Sequence, residues 1–317
     1  MSAVTRETNG FYIYFTELRH AQKVEAKDLA IGIYSRTMIS RIENGERLPR
    51  KIVRDRLLAR LGVCSDMYED YLVKDEYHRW CQRQEIIQSI LQGDISDIEE
   101  QLEVYKKDRI PISVEDQFIA TIEYQLMLLK GATEEELYVG VEKAARCTMP
   151  NLKKGFPSKM VLAEQELDLL ADYIRLRNHM GTKKQMQAWR IEQYQAIIAY
   201  MDTSRLSQIA KDKILPKVNA YLDAELSGKT TALIGNNFAS LYVETGSCCV
   251  SELIHAKREE LKLSRRQLSK NICSVKTVER LESGEASTTW GITRRLLERL
   301  GLHSDLLQFR ENYVLEK

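Results

Sequence analysis

The spacing of apolar residues predicts a chain built almost entirely of helices. Near the start of the sequence, apolar positions recur three or four residues apart, which favours helix over strand. In one of these segments Ser35 is a suitable N-cap, Ile39 and Ile42 face inward, and Gly45 stands where a helix end often needs a positive φ. The pattern predicts four short helices over residues 11–23, 25–31, 35–44 and 50–61.

The central part of the chain reads as a series of longer amphipathic helices. Thr133 and Glu136 have the spacing of a capping box, and several predicted helices end at a glycine. The helices are predicted over 74–91, 95–106, 114–130, 133–147, 161–180, 183–201, 204–226 and 230–244. Paired helices would begin near 74, 113, 161 and 203, at irregular spacings longer than the roughly 34 residues of a tetratricopeptide repeat. We therefore expect an array of antiparallel helical hairpins, tetratricopeptide-like but without strict repeats.

One segment of the chain occurs twice. The stretch from Ser35, "SRTMISRIENGE", returns from Ser274 as "SVKTVERLESGE". An ungapped alignment of residues 19–66 with residues 258–305 has 17 identical positions of 48, where unrelated segments would share roughly three. We call these segments the N-terminal copy (residues 19–66) and the C-terminal copy (residues 258–305).

The repeated segment resembles the helix-turn-helix of Cro/XRE-type regulators, and more closely the version found in Rgg- and PlcR-type peptide-sensing regulators. The resemblance rests on "LAIGIYSRTMISRIENGE" and "LSKNICSVKTVERLESGE". It implies recognition helices at 35–44 and 274–283 that enter the major groove of DNA. It also implies that Arg19 and Glu43 form a structural pair that ties the first helix to the third, as do Arg258 and Glu282.

The predicted recognition helix of the N-terminal copy offers polar and basic side chains on the face opposite Ile39 and Ile42. Arginine reads guanine edges, and Ser or Thr accepts several base partners. The candidate base contacts are Arg36, Thr37, Ser40, Arg41 and Asn44, with Arg41 alternatively a solvated helix residue. The candidate phosphate contacts around the helix are Lys23, Lys27, Arg47, Arg50 and Lys51.

The C-terminal copy differs on the same face. Val275 replaces Arg36 and Glu279 replaces Ser40, and a glutamate repels phosphates although it can accept from cytosine. Its candidate DNA contacts are Lys276, Thr277 and Arg280, with Arg265 and Arg266 on phosphates. The alternative is a degenerate copy that serves packing or dimerisation.

Charge divides along the chain in the same way as the repeat. Residues 11–66 contain 11 Lys/Arg and 7 Asp/Glu, and residues 250–305 contain 11 and 8. Residues 67–249 contain 22 basic and 28 acidic residues, so two basic ends flank an acidic middle. Basic ends attract polyanions, which agrees with double-stranded DNA as a partner.

Other features exclude several classes of protein. No nucleophile motif, phosphate loop or metal-ligand spacing is present, so we expect no enzyme, no cofactor and no metal. The six cysteines lack Cys-x-x-Cys spacing and are expected to be reduced thiols rather than disulfides or metal ligands. No apolar run is long enough to cross a bilayer and no signal peptide is evident, so a cytoplasmic protein is expected.

In the family that the chain resembles, the helical array binds a short signalling peptide and forms the homodimer. Asparagine and glutamine can pair with the backbone of an extended peptide. The candidate ligand-binding residues are Asn178, Gln185, Asn219, Asn236 and Asn237, with a solvated helix face or local polar packing as the alternative.

The sequence thus predicts an all-α protein with three domains. These are a helix-turn-helix domain at 1–72, a tetratricopeptide-like array at 73–247 and a second helix-turn-helix domain at 248–317. The function expected is sequence-specific transcriptional regulation, controlled by a peptide or another ligand. Two alternatives remain open: a protein-interaction scaffold that keeps the copies for packing or dimerisation, and a peptide-controlled effector such as a phosphatase-like protein.

Overall fold

A computed structural model describes residues 10–152, 155–178, 182–203, 205–228, 241, 244, 246–285 and 289–309, and these are mostly helical. The predicted helical class is confirmed. The helices of the N-terminal copy are α1 (Gly10–Ala21), α2 (Ala26–Ala30), α3 (Arg36–Glu43) and α4 (Lys51–Arg60). Those of the C-terminal copy are α12 (Val250–Glu260), α13 (Arg265–Ser269), α14 (Val275–Glu282) and α15 (Trp290–Arg299).

Seven helices lie between the two copies in the described part of the chain. They are α5 (Lys74–Gln92), α6 (Ile95–Lys107), α7 (Ser113–Leu129), α8 (Glu134–Arg146), α9 (Glu164–Leu176), α10 (Lys183–Thr203) and α11 (Gln208–Ser227). Consecutive helices pack on one another, as expected of a hairpin array. The capping box of Thr133 and Glu136 is present at the start of α8. Of the helix predicted over 230–244, only Leu241 and Glu244 are described, and neither of them is in a helix.

A small three-stranded sheet was missing from the prediction. Strand β1 (Tyr68–Leu72) lies in the middle, parallel to β2 (Ser247–Cys249) and antiparallel to β3 (Leu307–Phe309). Asp70 pairs with Ser247 on one side and with Leu307 on the other. The strands have only three to five residues and are far apart in sequence, so no periodicity could indicate them. The sheet joins the segment after the N-terminal copy to both ends of the C-terminal copy.

A buried ion cluster fastens α4 to this sheet. The Asp70 carboxylate accepts a 2.6 Å hydrogen bond from Arg54 and a 2.8 Å bond from the Ser247 hydroxyl. Lys51 Nζ lies 3.4 Å from Asp70 and 3.5 Å from Glu244, and the residue is 2% exposed. The expectation that Lys51 contacts a DNA phosphate is therefore wrong. A buried ammonium needs carboxylate partners, and here it has them inside the protein.

The N-terminal copy is docked on the central helices through a second buried ion pair. Arg60 Nη2 and Nε lie 2.6 and 3.0 Å from the two carboxylate oxygens of Glu166 in α9. Both side chains are fully buried. Arg56 of the same helix hydrogen-bonds Gln117 of α7 and lies 3.6 Å from Glu166. Because each arginine finds a specific acceptor in the array, the copy is held in one orientation against it.

The remaining expectations concern membranes and cysteines. Among the described helices, none is long and apolar enough to cross a membrane. All six cysteines are free thiols.

Candidate nucleic-acid interface

Helix α3 presents a polar face to solvent because its other face is fixed in the core. The Ser35 hydroxyl caps the helix by accepting from the Met38 amide at 3.2 Å. Ile39 and Ile42 are fully buried. The helix geometry then turns all five candidate base contacts outward: Arg36, Thr37, Ser40, Arg41 and Asn44 are exposed. Asn44 donates a 3.3 Å hydrogen bond to the nearby Glu46 carboxylate.

An arginine on α1 fixes the angle of α3. Arg19 Nε donates to Glu43 at 2.5 Å, and its Nη1 donates to the Val24 carbonyl at 2.6 Å. The pair that the family resemblance implied is thus present, and Glu43 is occupied within the protein. Lys23 adopts a φ of 55° in the turn that Arg19 bridges, and its side chain is exposed. Left-handed backbone costs a side-chain-bearing residue about 1–2 kcal/mol, so the turn is held by its surroundings.

The other cations proposed for phosphates surround α3. Lys27, Arg47 and Arg50 are exposed. Arg47 and Arg50 both lie close enough to Tyr34 to act on its phenol. Burial raises the pKa of Tyr34, and the two positive charges oppose that rise. Four cations of the N-terminal copy, counting Lys23, are therefore exposed and form no ion pair with any residue of the described chain.

The C-terminal copy repeats this architecture with a different surface. Ser274 caps α14 by accepting from the Thr277 amide at 3.0 Å. Lys276 and Arg280 are exposed, whereas Thr277 is half-buried and its hydroxyl hydrogen-bonds Ser274. Glu279 is exposed in the middle of the same face. This face consequently carries two cations and one anion.

The structural pair of the C-terminal copy has an additional member. Arg258 Nε donates to Glu282 at 2.5 Å, matching the pair in the N-terminal copy. Arg265 also donates to Glu282, at 2.8 Å, so the guanidinium proposed for a phosphate is already paired. Burial alone would raise the pKa of Glu282, but hydrogen bonds and charges from both arginines hold the pKa below its usual value. Arg266 remains exposed and is the one candidate on α13 without such a partner among the described residues.

The two ends of α14 differ in their surroundings. The N-terminal end is exposed, while the C-terminal end meets α5, where Lys74 Nζ donates to the Ser283 carbonyl at 3.1 Å. Gly284 follows with a φ of 73°, and a Cβ there would lie 2.2 Å from the Lys74 side chain. No local pattern indicates this contact, because the two segments are separated by 209 residues.

Two of the amides proposed for ligand binding form local hydrogen bonds. Asn178 accepts a 2.5 Å hydrogen bond from Arg190. Gln185 accepts from the amide and hydroxyl of Thr182, so its side chain caps α10. Asn219 is exposed on α11, and Asn236 and Asn237 lie outside the described residues. Local capping therefore accounts for Gln185 better than a ligand does.

A cavity lined by both polar and apolar side chains, which the sequence did not indicate, lies between α4, α5, α7 and α9. It measures about 90 Å³. Its described lining includes Asp55, Arg56, Arg83, Gln117, Thr121 and Gln165. Ligand pockets usually measure roughly 300 Å³ or more, whereas a water needs only about 15 Å³ of such space. The cavity as described suits a few waters or a small polar group rather than a peptide.

Neither a metal site nor a similar protein assigns a function to this chain. Within the described part of the chain, no group of three or more His, Cys, Asp or Glu is arranged to hold a metal ion. Comparison with models of protein families, with characterised proteins and with solved structures gives no match to this chain.

Proposed function

We propose that this protein is a sequence-specific DNA-binding transcriptional regulator whose α3 enters the major groove. The observation that carries the proposal is the exposed face of α3, where Arg36, Thr37, Ser40 and Arg41 stand together while Ile39 and Ile42 are buried. A helix held at both its apolar face and its C-terminal turn can be inserted into a groove without repacking.

The division of labour on this surface follows from side-chain chemistry. Arg36 and Arg41 contact base edges, where a bidentate arginine–guanine pair contributes about 1–3 kcal/mol of discrimination. Lys23, Lys27, Arg47 and Arg50 bind backbone phosphates, which sets position and affinity but not sequence. Because a small number of base contacts is available, specificity on one half-site is modest and a second reading surface improves it.

The C-terminal copy supplies that second surface, through Lys276, Arg280 and Arg266. Glu279 restricts it to sites where a cytosine amino group meets the carboxylate. Its contribution to affinity is smaller than that of the N-terminal copy, because Arg265 is already paired with Glu282.

We place these activities in three units, residues 1–72, 73–247 and 248–317, in a cytoplasmic protein that acts as a homodimer. The middle unit keeps the two DNA-binding units at fixed positions, through Arg60 and Glu166 on one side and the small sheet on the other. Its acidic composition keeps it away from the duplex.

A salt titration of duplex binding tests the proposal. We expect log K to fall steeply with log salt, with a slope near −0.9 for each phosphate neutralised, so about −4 for the four cations around α3. Replacing Lys27 and Arg50 by glutamate should make that slope less steep by about 2. Lys211→Glu, a substitution in α11, is the matched control and should leave the slope unchanged. Binding that ignores salt, or no binding to any duplex, contradicts the proposal.

Control by a peptide or another ligand is a further part of the proposal. The cavity between α4, α5, α7 and α9 supports a small ligand rather than a peptide. Its lining includes Asp55 and Arg56 of α4 together with residues of the central helices, so an occupant would touch both units. Native mass spectrometry of the full chain after exposure to a cell extract tests this. An added mass present in the wild type and lost in Thr121→Phe, which fills the cavity, supports ligand control. No added mass in either protein contradicts it.

A protein-interaction scaffold remains the second candidate, because the C-terminal copy leaves a large face uncovered. A scaffold predicts that Arg36→Ala and Arg41→Ala leave every partner interaction intact and that no duplex is bound. The regulator predicts loss of DNA binding in both variants.

A further inference from the structure

The two copies share a fold but differ in what covers one face of it. This face contains the turn after the second helix and the end of the fourth helix. In the N-terminal copy, Gly32 lies in that turn, and a Cβ there would come within 1.8 Å of the Thr148 carbonyl oxygen at the end of α8. Asn271 occupies the equivalent position of the C-terminal copy with a φ of 61°, and it is exposed. A glycine is needed only where the array approaches, and the C-terminal copy has no such neighbour at this point in the described chain.

Two arginines occupy the same positions in both copies. Arg60 donates to the Leu29 and Ile31 carbonyls at the end of α2. Arg299 donates to the Gln267, Leu268 and Lys270 carbonyls at the end of α13. Hydrogen bonding of this guanidinium to backbone carbonyls within its own copy is therefore common to both copies and structural.

The two arginines differ in what they contact outside their own copy. Arg60 gives its remaining nitrogens to Glu166 and is buried, whereas Arg299 is exposed. The neighbouring Arg56 is also buried against the array, while its counterpart Arg295 is exposed and donates to the Asn271 carbonyl at 2.7 Å. No carboxylate in the described chain pairs with Arg295 or Arg299. The C-terminal copy thus keeps the groups that docked the N-terminal copy, without their acceptor.

Apolar and glycine positions on the face show the same contrast. A Cβ on Gly62 would lie 1.9 Å from the Arg205 carbonyl, but one on Gly301 would meet nothing within 4 Å. Leu261 is 44% exposed and is the counterpart of Gln22, whose carbonyl accepts from Arg205 in the N-terminal copy. We call the set of Leu261, Lys270, Asn271, Arg295, Arg299 and Gly301 the outer face. It combines an exposed leucine with three cations that form no ion pair within the described residues.

A surface of opposite charge lies on the first hairpin of the array. A groove of about 310 Å³ between α5 and α6 is lined by Glu85, Asp97, Glu100 and Val104. Val104 is 43% exposed, and no cation of the described chain forms an ion pair with these three carboxylates. The buried Oε1 of Gln82, which also lines the groove, accepts no hydrogen bond within the described structure. The groove therefore offers three anions, one apolar residue and one unused acceptor.

We propose that the outer face of one chain docks into the α5/α6 groove of a second copy of the same chain. Three cations with a leucine then meet three carboxylates with a valine. A two-fold symmetric pair makes this contact twice, because each chain carries both surfaces. The inference rests on the homodimer part of the proposed function and is independent of DNA binding, which uses other residues.

The equivalent face of the N-terminal copy indicates that the outer face binds protein rather than DNA. The equivalent face of the N-terminal copy is covered by protein, and its arginines receive a glutamate and a glutamine there. The DNA contacts proposed for the two copies lie on α3, on α14 and in neighbouring segments, and none of them belongs to the outer face. Charge pairs across such a contact set orientation and weaken as salt screens them.

A charge exchange tests the contact. Sedimentation equilibrium of the full chain measures the dimer dissociation constant at low salt. Arg295→Glu with Arg299→Glu should weaken dimerisation at least about 10-fold, a loss of about 1.4 kcal/mol. Glu85→Arg with Glu100→Arg should weaken it similarly. Combining the four substitutions should restore the dissociation constant to within about 3-fold of the wild type. Lys276→Glu, an exposed cation on α14, is the matched control and should not change dimerisation.

Substituting Arg299 could also destabilise the C-terminal copy, because Arg299 binds carbonyls within that copy. A second pair of variants therefore leaves both arginines in place. Leu261→Asp places an anion opposite the three carboxylates, and Val104→Lys places a cation opposite the three cations. Neither variant removes an arginine, and each should weaken the dimer. A monomeric wild type, dimerisation indifferent to all these changes, or failure of the four-fold variant to recover overturns the proposal. So does a loss of DNA affinity in the Arg295/Arg299 variant at unchanged dimerisation, which would assign the face to DNA.

Discussion

The buried pair of Arg60 and Glu166 gives the sharpest stability prediction. Glu166→Gln keeps the shape of the side chain but removes its charge, which leaves the fully buried Arg60 guanidinium without a counterion. Removing one partner of a buried pair typically costs about 3–5 kcal/mol, since the remaining charge stays desolvated. Arg56 also loses an anion 3.6 Å away, which places the expected loss in the upper half of that range. We therefore predict a loss of about 4 kcal/mol in the free energy of unfolding.

Urea unfolding followed by circular dichroism measures this loss at pH 7.5. Glu142→Gln is the matched control, because Glu142 pairs with Arg146 on the exposed side of α8 and should contribute less than about 1 kcal/mol. Burial would raise the pKa of Glu166, but Arg60 and Arg56 lower it below its usual value. A lowered native pKa means that the contribution is present above the unfolded pKa and is lost as the pH falls through the native pKa. A variant no less stable than the control, or a difference that does not shrink in acid, would refute the reasoning.

Two further predictions use the duplication and the ion cluster. Gly32→Ala should lower the free energy of unfolding by about 2–4 kcal/mol, because its Cβ collides with a backbone carbonyl, whereas Asn271→Ala should cost about 1 kcal/mol. Equal losses in the two variants, compared by urea unfolding, would contradict the docking of one copy only. Burial raises the pKa of Asp55 to about 6, with Lys51 opposing the rise and Glu244 adding to it. The stability contribution of Asp55 is therefore greatest below about pH 4 and is lost as the pH rises through about 6. Melting temperatures from pH 4 to 7 should fall more for the wild type than for Asp55→Asn, and parallel curves would contradict this.

Local features of the fold were predictable from the sequence. Ser35 caps α3, Gly45 has a φ of 72°, and Arg19 pairs with Glu43, because each of these depends on residues within one repeated segment. The helices of the array were located to within a few residues, except α9, which is shorter than expected. Its start is set by the Glu166 side chain, which accepts from the Ala163 amide, and its end by the extended Arg177.

The features that were missed depend on partners far away in sequence. Arg60 and Glu166 are separated by 106 residues, and nothing around either residue indicates the other. The same is true of the three short strands, which come together only in the folded chain. One local feature was readable in the sequence but not predicted: Thr182 and Gln185 have the spacing of a capping box, and they cap α10.

The assignment of α3 to the major groove is tested most directly by in vitro selection from a random duplex library. The purified full chain and the Arg36→Ala/Arg41→Ala variant are carried through the same rounds at the same salt concentration. We expect the wild type to enrich a defined motif that contains guanines, and the variant to lose that enrichment while retaining its circular dichroism spectrum. The same motif enriched by both proteins, or no motif enriched by the wild type, would contradict the assignment.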